Sequence, residues 1–88
     1  PGEIEQWLED NRTTRVLGNA LRPTEEGKVV RIRGGKAFVT DGPFAETKEF
    51  VGGFDILECD SIEQAIEIAS KHPVAKFGAI EVREFWTD

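Results

Sequence analysis

The sequence is poor in the residues that build metal centres and covalent cross-links. Its 88 residues include one cysteine, Cys59, and one histidine, His72. A single cysteine excludes a disulfide within the chain, and one Cys with one His is too small a ligand set for a zinc site, so we expect no metal and no other cofactor. The chain also lacks an apolar run long enough to span a bilayer, and no signal-peptide pattern opens it. These features are typical of a cytoplasmic protein without a membrane partner.

Positive charge is also scarce. The chain has 11 lysines and arginines against 17 aspartates and glutamates, for a formal net charge of −6 at pH 7. Such a chain repels a phosphate backbone unless its cations are segregated, so we expect no nucleic acid partner. Its one local group of cations is Lys28, Arg31, Arg33 and Lys36. The apolar and charged fractions, 39% and 32%, fit a soluble globular protein, and the length fits one domain over residues 1–88.

The strongest local pattern is a β-hairpin in KVVRIRGGKAFVTD, residues 28–41. Gly34–Gly35 supplies the positive φ angles that a two-residue turn needs. This turn places Arg33 opposite Lys36, and it therefore places Ile32 opposite Ala37 and Val30 opposite Val39. One face of the hairpin is then apolar. The other face is mostly polar and carries Arg31, Arg33, Lys36, Phe38 and Thr40.

Helix and strand patterns flank this hairpin on both sides. Residues 1–11 have Ile4, Trp7 and Leu8 on one helical face, and residues 13–23 are typical of a strand with a bend or a bulge at Gly18–Asn19. Residues 53–59 and 77–85 alternate as half-buried strands do. The predicted order is helix, strand, hairpin, strand, helix, strand. We therefore expect an α+β fold in which two helices cover one face of an antiparallel-rich sheet, and a second copy of the chain covers the other.

The second predicted helix lies in DSIEQAIEIASKHP, residues 60–73. Ser61 and Gln64 have the spacing of a capping box at its start. Lys71 and His72 fall where the helix dipole favours a cation, and Pro73 ends the helix.

The stretch VTDGPFAETKE, followed by GGFDILEC, SIEQAIEIASKHP and GAIEVREF, resembles the YCII-related proteins, specifically their DGPF-motif branch. The resemblance runs over residues 21–85, most of the chain, and implies a ferredoxin-like fold, paired into a dimeric α/β barrel with a cleft in each subunit. Relatives of this kind begin with a strand, whereas this sequence opens with a helix. Some relatives are encoded beside alternative sigma factors or fused to them. A related branch resembles small lyases that use a histidine–aspartate pair, but their histidine lies in the first helix, where this chain has none.

Asp41 is the main candidate for a chemical role. A carboxylate at the end of a strand, facing a cleft, can abstract a proton if burial raises its pKa. Alternatively, Asp41 is a turn residue whose carboxylate accepts the backbone N–H groups of the Gly-Pro-Phe bend that follows. His72 is the candidate partner of Asp41 because it titrates near neutrality. The alternative role of His72 is that of a cation at the end of a helix.

Other residues are candidates for binding a small organic ligand beside Asp41. Arg22 and Lys48 suit an anionic group, although exposed charges are more often simply solvated. Phe44 and Phe50 are expected to anchor the loop in the core, and Cys59 is expected to be a buried thiol. The ligand-binding candidates are Arg22, Gly42, Pro43, Phe44, Glu46 and Lys48.

Two functions fit these features. The first is a homodimer that binds a small organic molecule and transfers a proton at Asp41, as a lyase or an isomerase does. The second is a non-catalytic sensor or regulatory partner domain, linked to an alternative sigma factor. An exposed apolar patch outside the dimer interface would favour the second.

Overall fold

The computed structural model describes residues 2–42 and 50–86, which form two α-helices and four β-strands. Short 3₁₀ helices cover Thr24–Glu26 and Pro73–Lys76. These elements confirm an α+β fold with antiparallel sheets, consistent with the ferredoxin-like fold that we expected. The helices are α1 (Glu3–Asp10) and α2 (Ile62–Ser70), and the strands are β1 (Arg15–Ala20), β2 (Lys28–Arg33), β3 (Lys36–Asp41) and β4 (Gly53–Leu57).

The chain divides into two compact units. One comprises Pro1–Leu17 with Asp55–Asp88 and contains both α-helices, whereas the other comprises Gly18–Phe54 and contains the β2–β3 hairpin. The expected single domain over residues 1–88 remains a prediction.

The β2–β3 hairpin has the predicted register. Arg33 lies opposite Lys36, and the pairing continues without a bulge to Lys28 opposite Asp41. Gly34 and Gly35 form the turn with φ angles of 58° and 77°, in the left-handed region that favours glycine. The hairpin is therefore confirmed in position, turn and register.

Strand β1 pairs with β4 in a second two-stranded sheet. Beyond one end of this pair, the Glu58 N–H donates to the Thr14 carbonyl at 2.8 Å, and beyond the other the Leu21 N–H donates to the Gly52 carbonyl at 2.8 Å. These two bonds show that the strands run antiparallel. Strand β1 spans Gly18–Asn19, where we expected a bend or a bulge. The segment from Thr14 to Leu21 is one residue longer than the segment from Gly52 to Glu58 that it faces, as a bulge in β1 requires.

Trp7 forms the core of the unit that contains the helices. Its side chain is 5% exposed, and its indole N–H donates to the Ile68 carbonyl of α2 at 2.9 Å. The His72 ring packs edge-on against the indole, with ring centroids 4.6 Å apart. Lys76 binds the Glu3 carboxylate at 2.8 Å. Trp7 of α1 therefore contacts both α2, through Ile68, and the segment that follows α2, through His72.

Helix α2 begins as predicted and ends earlier than predicted. The Ser61 hydroxyl accepts the Gln64 N–H at 3.1 Å, and the Gln64 side chain in turn accepts the Asp60 N–H at 2.7 Å. The last helical residue is Ser70. His72 therefore lies just beyond the C-cap Lys71, outside the helix itself, and its role as a cation favoured by the helix dipole remains a prediction. Neither of the two α-helices in the described ranges is long and apolar enough to cross a membrane.

The predicted strand at residues 77–85 is absent. Residues 79–85 belong to no helix or strand, and none of their backbone groups bonds to another backbone group within residues 2–42 and 50–86. Glu81 and Arg83 form an ion pair two residues apart, as an extended chain allows. The alternating pattern gives this segment two distinct faces, but a strand also needs a backbone partner.

The apolar face of the hairpin is open in the single chain. Val30, Ile32 and Val39 are 61%, 59% and 61% exposed, and the buried hairpin residue is Val29, on the opposite face, at 8%. Phe50 is 71% exposed, so it does not anchor its end of the loop in the core. Its expected counterpart, Phe44, lies outside the described residues.

Candidate functional site

Asp41 pairs with Lys28 across the hairpin. The two residues are directly opposite each other in the register, and the Lys28 ammonium donates to the Asp41 carboxylate. Because side chains alternate along a strand, this pair lies on the same face as Val30 and Val39. The Asp41–Lys28 pair therefore places a carboxylate and an ammonium group at the edge of the open apolar face.

The base of the hairpin is closed by backbone groups. The Gly42 N–H donates to the Gly27 carbonyl at 3.0 Å, and Gly42 has a φ of 87°. The Asp41 carboxylate accepts no backbone N–H within the ranges that the structure describes, and its partner there is Lys28. The turn role concerns the Gly-Pro-Phe bend, and since Pro43 and Phe44 lie outside the described residues, that role remains a prediction.

The exposure of the Asp41 and Lys28 side chains determines whether Asp41 is buried enough for proton transfer in a single chain. The side chains of Asp41 and Lys28 are 81% and 62% exposed. The burial that the catalytic role of Asp41 requires is therefore not supplied by one copy of the chain alone. If the apolar face were covered, the same carboxylate would lose water, and proton transfer would then occur in a drier environment.

His72 contacts both the last turn of α2, where its N–H donates to the Ala69 carbonyl at 3.0 Å, and the segment after α2. Its backbone is extended, with φ −74° and ψ 134°, as is usual for a residue before proline. Its Nδ1 accepts the Val74 N–H at 3.0 Å and so caps the 3₁₀ helix Pro73–Lys76. An accepting Nδ1 requires that this nitrogen carry no proton. His72 and Asp41 belong to different compact units, and their pairing remains a prediction.

The remaining predicted ligand residues divide into two groups. Arg22 forms a bidentate ion pair with Glu26: its Nε donates to Oε1 at 2.9 Å and its Nη2 donates to Oε2 at 3.0 Å. The Arg22 side chain is 82% exposed. Gly42 is described above. The predicted residues Pro43, Phe44, Glu46 and Lys48 lie outside the described residues.

The thiol and the other carboxylates that the structure describes show no arrangement typical of a catalytic or metal site. Cys59 is a free thiol and half-buried, rather than fully buried as expected. Among the residues that the structure describes, no group of three or more histidine, cysteine, aspartate or glutamate side chains lies close enough together to hold a metal ion. Lys76, by its hydrogen bond and its charge, lowers the pKa of the Glu3 carboxyl. The Gly2 N–H lowers the pKa of the Glu5 carboxyl in the same way. Both shifts belong to contacts at the start of α1.

A cleft of about 850 Å³ lies between α1 and α2. Its walls are largely polar, and of the predicted site residues that the structure describes, Arg22, Asp41, Gly42 and His72, none lines it. Residues that line it include Gln6, Asp10, Asn11, Gln64, Glu67 and Lys71.

Sequence reasoning missed Lys28 as the partner of Asp41. The signal was present, because the register counted outward from Gly34–Gly35 reaches Lys28 opposite Asp41. The apolar residues determine the register of the hairpin, and Lys28 stands in the sequence as one member of a local group of cations, so its own partner was not predicted.

Comparison with known proteins places the chain in one family. The model of the YCII-related domain matches residues 4–87. An uncharacterized protein of Rhizobium meliloti (strain 1021) is 43% identical over 49 residues, which are 56% of this chain and 40% of that protein. The chain thus matches less than half the length of this relative.

Proposed function

Because the chain belongs to the YCII-related family, we propose that it is a homodimeric small-molecule-binding domain that transfers a proton at Asp41, as a lyase or an isomerase does. The observation that carries the proposal is the Asp41–Lys28 pair at the edge of an apolar face that one chain leaves open.

The first step of the proposal is the covering of that face by a second copy. Full burial of a valine or isoleucine side chain stabilises a protein by about 1.5–3 kcal/mol. Val30, Ile32 and Val39 each retain about 60% of their exposure, so covering them is worth about 3–5 kcal/mol per chain. That amount is comparable to the whole stability of a small domain, and it favours association of two chains through this face.

The second step is the chemistry at the covered face. Asp41 accepts a proton from a carbon next to a carbonyl group, and the electron pair moves to the carbonyl oxygen. The Lys28 ammonium stabilises the negative charge on that oxygen. Return of the proton to another carbon completes an isomerisation, and departure of a neighbouring group completes an elimination. Neither reaction needs a nucleophile, so one base and one cation suffice.

The dimer is tested by sedimentation equilibrium of two matched variants. Ile32→Glu places a charge on the apolar face and is expected to give a monomer, because an unpaired charge in an interface is costly. Thr40→Glu places the same charge on the opposite face and is expected to leave the dimer intact. A monomeric wild-type chain, or equal effects of the two substitutions, would contradict the first step.

The chemistry is tested by NMR of 2-oxo acids such as pyruvate in D₂O, where proton abstraction appears as deuterium incorporation. Asp41→Asn is expected to lower the rate by about 100-fold or more, in line with the loss of a general base. Glu81→Gln is the control, because Glu81 is also an exposed carboxylate in an ion pair, with Arg83. If wild type and Asp41→Asn exchange every tested acid equally slowly, Asp41 has no role as a base toward this class of compound.

The alternative function is a non-catalytic sensor or regulatory partner domain, linked to an alternative sigma factor. Apolar exposure at the end of the chain favours it: Phe77, Phe85 and Trp86 are 82%, 71% and 93% exposed, and they lie in the unit that does not contain the hairpin. Such residues are typical of a surface that meets another protein. Replacement of Phe85 and Trp86 by serine would abolish partner binding under this alternative and leave deuterium exchange unchanged.

A further inference from the structure

The hairpin concentrates positive charge in a chain that is otherwise strongly acidic. Residues 27–40 contain four cations and no acid, whereas the rest of the sequence carries seven cations and all 17 acids. Arg31, Arg33, Lys36 and Phe38 share one face of the hairpin, which we call the basic face. It lies opposite the apolar face that carries the Asp41–Lys28 pair.

Two cations of the basic face, Arg33 and Lys36, differ in their contacts from most cations that the structure describes. Among the described residues, six lysines and arginines, including Lys28, form ion pairs with carboxylates. Arg33 and Lys36 have no carboxylate partner within residues 2–42 and 50–86, and the Arg33 guanidinium contacts the carbonyl of Ile32 next to it. Both residues are exposed. Their charges are therefore available to an incoming anion.

The register places these two charges directly opposite each other. Arg33 and Lys36 are cross-strand partners at the turn, and like charges in such a position destabilise a hairpin. A protein that retains a destabilising arrangement at its surface often uses it for binding. On the next pair along the face, Phe38 lies opposite Arg31 and is 51% exposed, which adds apolar area beside the cations.

From this arrangement we infer that the basic face docks an acidic segment of a partner protein. Small ligands occupy concave pockets, whereas the turn end of this face, from Arg31 and Phe38 to Arg33 and Lys36, is exposed, and only Val29 at its other end is buried among the described hairpin residues. The charges of the turn end fit an extended chain of carboxylates. A nucleic acid also offers an extended row of anions, but the net charge of −6 repels it at long range. An acidic peptide with fewer charges is repelled less, and the exposed Phe38 ring packs against its apolar side chains.

The inference is tested by fluorescence anisotropy with a fluorescein-labelled octaglutamate peptide and the 88-residue chain, at an ionic strength of about 20 mM. Lys36→Gln is expected to weaken binding about two- to fivefold, and Arg33→Gln with Lys36→Gln about tenfold. Lys71→Gln is the matched control, because Lys71 is also an exposed lysine without a carboxylate partner among the described residues. It is expected to leave binding unchanged. The melting temperature of Lys36→Gln should be equal to or above that of the wild type, because a repulsion is removed.

Three results would overturn the inference. If the peptide does not bind at this ionic strength, the cations of the basic face have no docking role. Equal losses in Lys36→Gln and Lys71→Gln would show that the peptide responds to overall charge. Tighter binding of a single-stranded oligothymidine, lost in the double variant, would assign the basic face to nucleic acid instead.

Discussion

The replacement of Trp7 by phenylalanine tests how the helical unit is held together. It removes the indole N–H that donates to the Ile68 carbonyl at 2.9 Å, and it reduces the ring that packs against His72. The Ile68 carbonyl still accepts the Lys71 N–H at 3.2 Å, so it is not left without a donor. The lost hydrogen bond costs about 1 kcal/mol and the smaller ring costs about as much again, so we expect a loss of about 2 kcal/mol.

The measurement is urea unfolding followed by far-UV circular dichroism at one fixed protein concentration. Circular dichroism is preferred because each substitution changes the tryptophan fluorescence itself. Trp86→Phe is the matched control, since Trp86 is 93% exposed and its replacement is expected to change the free energy of unfolding by less than about 0.5 kcal/mol. Equal effects at the two positions would refute the assignment of Trp7 as the core of this unit.

Two further predictions concern the hairpin turn and one surface ion pair. Gly35→Ala is expected to destabilise the protein by about 1–2 kcal/mol, because Gly35 has a φ of 77°. Gly52→Ala is the control and is expected to be neutral, since its added methyl group would lie at an ordinary contact distance of 3.7 Å from the Phe50 ring. Thermal unfolding of both variants compares the two effects. Lys76 lowers the pKa of the Glu3 carboxyl from its ordinary 4.5, so the contribution of this group to stability is present above pH 4.5 and is lost as the pH falls through the lowered pKa. Wild type and Glu3→Gln should therefore differ in denaturant midpoint at neutral pH and converge in acid, and a constant difference would contradict this.

The sequence predicts those parts of the fold that neighbouring residues decide. The hairpin register follows from a two-residue glycine turn and the alternation of Val30, Ile32 and Val39 around it. The start of α2 follows from the spacing of Ser61 and Gln64. In each case the groups that form the structure are a few residues apart, so local chemistry is sufficient.

Prediction fails where the deciding contact is distant in sequence. Residues 79–85 alternate like a strand, but alternation cannot supply the backbone partner that makes a strand. The burial of Val29 in place of Val30 likewise depends on what packs on each face of the hairpin. The position of His72 was predictable, however, because a residue before proline avoids the helical region and α2 therefore ends before it.

The sequence predicts Asp41 as a site residue and, through the register, its pairing with Lys28, but it does not predict what surrounds the pair. Asp41 was identified from its place at the end of a strand, and Lys28 follows from the register. The sequence predicted an apolar face on the hairpin and one sheet face without helices over it, but it did not predict that the two are the same face, because the pattern does not indicate what covers each face.

The role of Asp41 can be separated from its contribution to the fold. If the carboxylate held the bend, Asp41→Ala would cost about 1–2 kcal/mol, as the loss of a capping side chain does. In the structure the Gly42 N–H bonds to the Gly27 carbonyl, and the carboxylate bonds to Lys28, with the two side chains 81% and 62% exposed. Exposed ion pairs contribute about 1 kcal/mol or less, so we expect Asp41→Ala to unfold in denaturant within about 1 kcal/mol of the wild type. A loss of activity in Asp41→Asn would then report on chemistry, whereas a larger loss of stability in Asp41→Ala would show that the carboxylate is needed for the bend itself.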